Sequence, residues 1–151
     1  MKYLFDTSVL LAAMVAAHKH HDKAKTWLSK AHKGKFSLYV CNHTIAELYS
    51  ALTTLPISPR ISPATAVMLI EHNIIKQAKL VTLTSKDYHK VIKNLAAEDF
   101  KGGISYDNLI YHAAIKSGVT KLLTFNTKDF DRFNRDKKVI IVSPMHTSTL
   151  Q

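Results

Sequence analysis

Short apolar runs alternate along the chain with longer stretches whose hydrophobic positions recur at helical spacing. Lys2–Phe5 reads as a short strand, and Ser8 as the N-cap of a helix reaching about Ala17. His20–His32 is a second helix, with Ala24, Trp27, Leu28 and Ala31 on one side. Gly34 stops it, and Phe36–Cys41 follows as a buried strand. Thr44–Leu55 is the next helix. A stiff connection, Pro56–Pro63, leads into a helix over Ala64–Lys76, with Ser62 as N-cap and Pro63 in the first turn. Lys79–Thr84 reads as a strand and Ser85–Leu95 as a helix. Gly102-Gly103 breaks the chain before a helix carrying Asp107, which Gly118 ends. Lys121–Phe125 is strand-like, Thr127–Phe133 a short helical turn, and Val139–Val142 a last strand. Five strands with helical crossovers predict one α/β domain over residues 1–142, with a mainly parallel sheet. A polar tail, 143–151, is expected to fray.

Three carboxylates break this pattern. Asp6 closes the apolar run Tyr3-Leu4-Phe5, Glu47 interrupts Thr44-Ile45-Ala46-Glu47-Leu48-Tyr49, and Asp107 opens Asp107-Asn108-Leu109-Ile110-Tyr111. Burying an ionised carboxylate costs several kcal/mol unless a cation or hydrogen bonds compensate. An oxygen-lined divalent metal site lets three coexist, and a metal so held can activate water and neutralise charge on a phosphodiester. Each also has a plainer explanation. Asp6 fits a helix cap, Thr44-Ile45-Ala46-Glu47 fits a capping box, and Asp107 suits the positive end of a helix dipole. The combination favours the metal. In parallel sheets functional groups gather beyond the carboxyl ends of the strands, where segment order puts Asp6 and Asn126–Asp129.

Charge sharpens the picture. The 151 residues carry 21 Lys plus Arg against 11 Asp plus Glu, a net +10. Acid is scarce, and the surplus of cations favours a polyanionic partner such as nucleic acid. Lys33, Lys35, Lys86, Lys90, Lys128, Arg132 and Arg135 are candidates to grip phosphate, although surface lysines are usually only solvated. The single cysteine, Cys41, sits in an apolar strand and reads as a buried, inert thiol. The nine histidines show no zinc-type spacing. Gly-x-Ser-x-Gly, phosphate-loop and dinucleotide fingerprints are all missing. Val9–Ala17 imitates a signal peptide, but Asp6 lies at its head, and the expectation is a cytoplasmic protein. No run reaches the roughly 18 apolar residues of a membrane span.

Taken in order, Tyr3-Leu4-Phe5-Asp6-Thr7-Ser8-Val9-Leu10, Thr44-Ile45-Ala46-Glu47-Leu48, Asp107-Asn108-Leu109-Ile110-Tyr111-His112-Ala113-Ala114 and Leu122-Leu123-Thr124-Phe125-Asn126-Thr127-Lys128-Asp129-Phe130 resemble the PIN-domain ribonucleases. The resemblance is strongest to the VapC-type toxins of toxin–antitoxin pairs, and it spans nearly the whole chain. It implies an α/β/α sandwich and an endoribonuclease dependent on Mg²⁺ or Mn²⁺, cutting RNA with metal-activated water. Asp6, Glu47 and Asp107 would gather the metal. A homodimer and a small antitoxin protein as partner are implied as well.

The fourth acidic position departs from the family pattern. Asn126 stands directly after the Leu122–Phe125 run where an Asp is common, and Asp129 either compensates or caps the short helix. Asn offers a carbonyl oxygen without charge. Thr124 has two readings, a ligand-binding hydroxyl or an ordinary strand residue. Two other functions stay open: a non-catalytic PIN-like module for RNA binding or assembly, and a DNA nuclease of related architecture.

Overall fold

The computed structural model describes residues 1–146, so the last part of the expected tail lies outside the described residues. Five strands, β1 (Lys2–Phe5), β2 (Ser37–Cys41), β3 (Lys79–Val81), β4 (Lys121–Leu123) and β5 (Ile140–Val142), form one sheet in the order β3-β2-β1-β4-β5. Every pairing is parallel, with Tyr3 beside Leu38 and Leu4 beside Leu122. The helices are α1 (Thr7–Met14), α2 (His21–His32), α3 (Asn42–Thr54), α4 (Pro63–Ile70), α5 (Ser85–Ala97), α6 (Ile104–Ser117) and α7 (Thr127–Phe133).

Side-chain alternation along β1 divides the core. Tyr3 and Phe5 face one way, into a cluster with Val9, Leu10, Trp27, Phe36, Leu48 and Ile74. Leu4 faces the other, among Val91, Leu109, Ile110, Ala113 and Phe130. Helices α1–α4 therefore cover one face and α5–α7 the other, which makes the expected three-layer sandwich. Each fully buried Leu or Phe contributes about 1.5–3 kcal/mol. Tyr3 adds aromatic contacts, 4.4 Å to Phe36 and 5.5 Å to Trp27 between ring centroids. The apolar stretch after Asp6 forms α1, with Val9, Leu10, Ala12 and Ala13 buried. No helix among the described residues is long and apolar enough to cross a membrane.

Several boundaries differ from the expectations, each for a physical reason. Helix α1 starts at Thr7 with Asp6 at the N-cap position, so Ser8 lies inside the helix, and the helix stops at Met14, short of Ala17. Strand β3 ends at Val81 because Leu83 donates its backbone N–H to the Asn42 side chain and Thr84 turns to cap α5. The segment expected as a helix to Lys76 widens after Ile70 into a π-helical turn, Glu71–Ile75, with Lys76 N–H bonded to Glu71 O at 3.1 Å. The Ser62 cap forms as expected, accepting from Thr65 N–H.

The strand order reverses direction at β1, with β2 on one side and β4 on the other. A crevice therefore opens beyond the carboxyl ends of β1 and β4, between the two helical layers.

Candidate acidic site at the sheet switch point

Asp6 forms the floor of this crevice. Its backbone N–H completes the ladder to Leu123 O at 2.9 Å, which fixes where the side chain leaves β1. The residue is 2% exposed, and its Oδ2 accepts from Ser8 Oγ at 2.7 Å and Thr124 Oγ1 at 2.8 Å. Burial raises its pKa; the two hydroxyls and the nearby Thr7 and Ser8 amides pull it back. Asp6 does occupy the N-cap position of α1, but its closest hydrogen bonds come from the Ser8 and Thr124 hydroxyls. Thr124 is wholly buried and links the site to the next loop, since its Oγ1 also accepts from Asn126 N–H at 2.9 Å. Its hydroxyl is thus part of the site's scaffold.

Glu47 enters from α3, in the layer covering one face. Because α3 begins at Asn42, Thr44 is no cap and the capping-box reading fails. The Thr7 hydroxyl donates to Glu47 Oε1 at 3.2 Å and lies 3.0 Å from Thr44 Oγ1. Burial, and then the charge of Asp6, raise the Glu47 pKa against the Thr7 hydrogen bond.

Asp107 enters from the first turn of α6, on the opposite layer. Burial comes first in pushing its pKa up to about 7, followed by the charges of Asp6, Asp129 and Glu47. Asp129 stands in the first turn of α7. Four acids from β1, α3, α6 and α7 thus share one electrostatic neighbourhood. None pairs with a Lys or Arg within 4.0 Å among the described residues. Asn126 is exposed at the N-cap position of α7 and makes no side-chain cap bond.

One residue at this site escaped the sequence reading. His43, one helical turn before Glu47, has its Nε2 buried without a hydrogen-bond partner, 3.7 Å from Glu47 Oε1. Burial lowers its pKa, so the ring is held neutral at pH 7. A His four residues before a Glu on a helix was the available signal. Cys41 behaves as expected: it is buried, and desolvation pushes the thiol up to about 11.

The donor chemistry suits a hard divalent cation: carboxylate oxygens, steadied by hydroxyls, with no positive side chain already neutralising them. The set is not drawn tight, since no three acidic, histidine or cysteine groups among the described residues close on an ion-sized point. Carboxylates about 5 Å apart repel by roughly 3 kcal/mol at an effective dielectric of 20, which holds such a cluster open.

The candidate phosphate-gripping residues separate by location. Lys33 lies with Lys25 and Lys30 along α2. Lys90, Arg132 and Arg135 line a cavity of about 570 Å³ on the outer side of α5–α7. There Arg132 lies 4.8 Å from the Phe100 ring and Arg135 pairs with Glu98 at 3.0 Å. Lys35, Lys86 and Lys128 are exposed.

Comparison with known proteins agrees with this fold. The family model for the PIN domain matches residues 3–136. Ribonuclease VapC40 of Mycobacterium tuberculosis is 30% identical over 130 residues, covering 86% of this chain and 90% of that protein. Ribonuclease VapC27 of the same organism is 33% identical over 109 residues, covering 72% and 74%. Among solved structures, the sarcin–ricin loop cleaving toxin VapC20 of M. tuberculosis superposes with a TM-score of 0.68 at 20% identity, covering 87% of this chain and 94% of that one. VapBC2 of Rickettsia felis, bound to a promoter DNA fragment, gives 0.64 at 18% identity over 95% and 98%. The chain belongs to the PIN domain family.

Proposed function

We propose that this chain is a divalent-metal-dependent endoribonuclease of the VapC kind, the toxin of a toxin–antitoxin pair. The observation that carries the reading is Asp107, driven up to about 7 by burial and by Asp6, Asp129 and Glu47 in a protein with ten surplus cations. Such a cluster persists in a basic protein when a cation from outside compensates it. The named relatives are ribonucleases, which directs the reading to RNA.

On this reading Asp6, Glu47 and Asp107 hold Mg²⁺ or Mn²⁺, and Asp129 deepens the negative potential from α7. A bound ion supplies charge neutralisation at the phosphate and activation of the attacking water. The chain itself supplies orientation. Ser8 and Thr124 lock one oxygen of Asp6 and leave the other free for a ligand, and Thr7 steers Glu47. On the same reading Glu47, its pKa raised by burial, would serve as a ligand or as the base that orients the attacking water. A small antitoxin protein and self-association are further parts of the proposal. The antitoxin is supported by a solved neighbour that is a member of the VapBC family of toxin–antitoxin systems, and self-association is carried over from the family resemblance alone.

Asp6→Asn tests it. The variant folds, and metal-stimulated cleavage of single-stranded RNA falls to background, as it does for the wild type in EDTA. Undiminished cleavage by folded Asp6→Asn protein in EDTA overturns the reading, and parallel digestion of matched DNA shows whether RNA is the substrate. Two observations favour a second reading, a non-catalytic RNA-binding or assembly module: Asn126 stands where a further acid is common, and no three acidic, histidine or cysteine groups among the described residues close on a point. Such a module binds RNA with a steep salt dependence and yields no product at any Mg²⁺ or Mn²⁺ concentration.

A further inference from the structure

Two stacks of aromatic and imidazole rings stand on either side of the acidic crevice, one led by the exposed Tyr106 ring and the other by Phe125, which packs against the hydrophobic core. On the β2 side, His43 of α3 lies nearly parallel to Tyr106 of α6, with centroids 5.4 Å apart and planes at 13°. Tyr88 meets the same imidazole edge-on at 6.4 Å. The Tyr106 ring is the outer member, 52% exposed, and the residue directly precedes Asp107. On the β4 side, Phe125 stacks with His20 at 5.0 Å and 22°. His18 lies beyond, 6.5 Å from Phe125 at 24°. Phe125 is half-buried, and its backbone N–H donates to Ser8 Oγ, the hydroxyl that itself donates to Asp6.

Each stack is therefore tied to the acids: one through Glu47, a helical turn after His43, the other through Ser8 and Thr124. Since β1 lies between β2 and β4, the two stacks flank Asp6 from opposite sides. The exposed Tyr106 ring offers a flat face beside the acids, and such faces match those of unpaired bases. Duplex nucleic acid hides those faces, whereas a single strand presents them.

We infer that Tyr106 over His43, and Phe125 with His20, form two stacking seats for unpaired nucleobases on either side of the acidic crevice of Asp6 and Asp107. The inference rests on the nuclease reading for what lies between the seats. It extends that reading by naming the side chains that read the bases of an unpaired strand as flat surfaces. The overall charge of +10 supports a nucleic acid over a protein segment as occupant.

The test measures binding in EDTA at low salt, where no cleavage occurs and the positive surface still draws the strand in although the unneutralised crevice weakens it, using a short single-stranded RNA with 2-aminopurine in its centre, the matched single-stranded DNA, and the RNA duplex. Stacking quenches 2-aminopurine fluorescence on binding to the wild type. Tyr106→Ala and Phe125→Leu each weaken single-strand binding by about tenfold and relieve the quenching. Tyr106→Phe keeps both, and duplex binding changes in none of them. The salt dependence stays that of the wild type, because the cations that meet phosphate are untouched. The tighter of the RNA and DNA arms identifies the source of the bases.

Wild-type affinity and quenching in folded Tyr106→Ala and Phe125→Leu overturn the inference, including the case in which Tyr106 instead engages a protein. If these variants lose single-strand binding while the wild type never yields metal-dependent product, the seats stand and the nuclease reading fails. If cleavage is metal-dependent and binding is untouched by either substitution, the nuclease reading stands and the seats fail.

Discussion

Asp107 is held where its charge is unwelcome, and that has a sign that can be measured. Its pKa is raised to about 7 from an ordinary 3.8. Between these values the native state keeps a proton that the unfolded chain has released, so stability without metal falls as pH rises through this window. Asp107→Asn removes the penalty. At pH 8 in EDTA the variant is expected to be more stable than the wild type by about 1–2 kcal/mol, after allowing for solvent screening at a partly open site. Thermal melting shows the advantage shrinking toward pH 4, and saturating Mg²⁺ or Mn²⁺ erases it by stabilising only the wild type. A stability difference that stays flat from pH 4 to 8 would mean that Asp107 ionises normally.

Thr124 makes the complementary case. Thr124→Val removes a donor from Asp6 and strands the Asn126 N–H, costing about 1–3 kcal/mol. It also shifts the acid limb of RNA cleavage to higher pH, because Asp6 loses a hydrogen bond that favours its ionised form. These acids were legible in the sequence because charge inside an apolar run is costly wherever the chain folds. His43, Tyr106 and Phe125 were not, because a histidine or an aromatic in an apolar segment fits an ordinary core equally well. Only the layer packing shows which rings meet.

At the scale of elements, the opening of α5 is fastened to α6 by one carboxylate. Asp87 closes the capping box with Thr84, accepts from Lys116 Nζ at 2.6 Å, and lies 3.1 Å from His112 Nε2. The Lys116 ammonium foremost, then the Thr84 backbone N–H and His112, hold its pKa well below the usual range. A depressed carboxylate pKa contributes stability above the unfolded value, and the contribution is lost as pH falls through the folded value. Asp87→Asn is therefore expected to lower the melting temperature by a few degrees at pH 7. The gap should close as pH is taken below the ordinary aspartate value, and a constant gap down to pH 2 would exclude the ionic fastening.

The same element shows why strand lengths were overread. Lys79–Thr84 is apolar and β-branched enough for a strand, yet Asn42 draws Leu83 away and Thr84 caps the helix. Tertiary and side-chain hydrogen bonds end the ladder there, and neither leaves a trace in periodicity. The π-helical turn was hidden for a similar reason. Glu71–Ile75 continues an apolar helical pattern, while His32 and the Asn73 side chain bond across the turn in three dimensions.

For the whole molecule, the arrangement of charge decides how a polyanion approaches a site that is itself negative. The 21 cations leave the four crevice acids without a Lys or Arg partner among the described residues, so the field is positive around the molecule and negative at one point. Phosphates are attracted broadly and repelled locally until a divalent ion reverses the crevice, which makes metal and RNA binding mutually reinforcing. The order of element layers offers a route for the flanking strand. Asn108, next to Asp107, lines the cavity on the outer side of α5–α7, whose walls carry Lys90 and Arg132, with Arg135 engaged by Glu98 and Lys138 by Asp136. A strand leaving the acids along α6 meets these cations, whereas Lys25, Lys30 and Lys33 lie on the other layer. Binding of single-stranded RNA is accordingly expected to fall linearly with the logarithm of salt concentration. In Lys90→Ala/Arg132→Ala protein the slope should drop by about 0.7 for each phosphate that is no longer neutralised, while Lys25→Ala/Lys30→Ala protein keeps the wild-type slope. Filter binding across a salt series measures both. If the second pair flattens the slope and the first does not, the strand runs over α2, and the groove beside α6 serves another purpose.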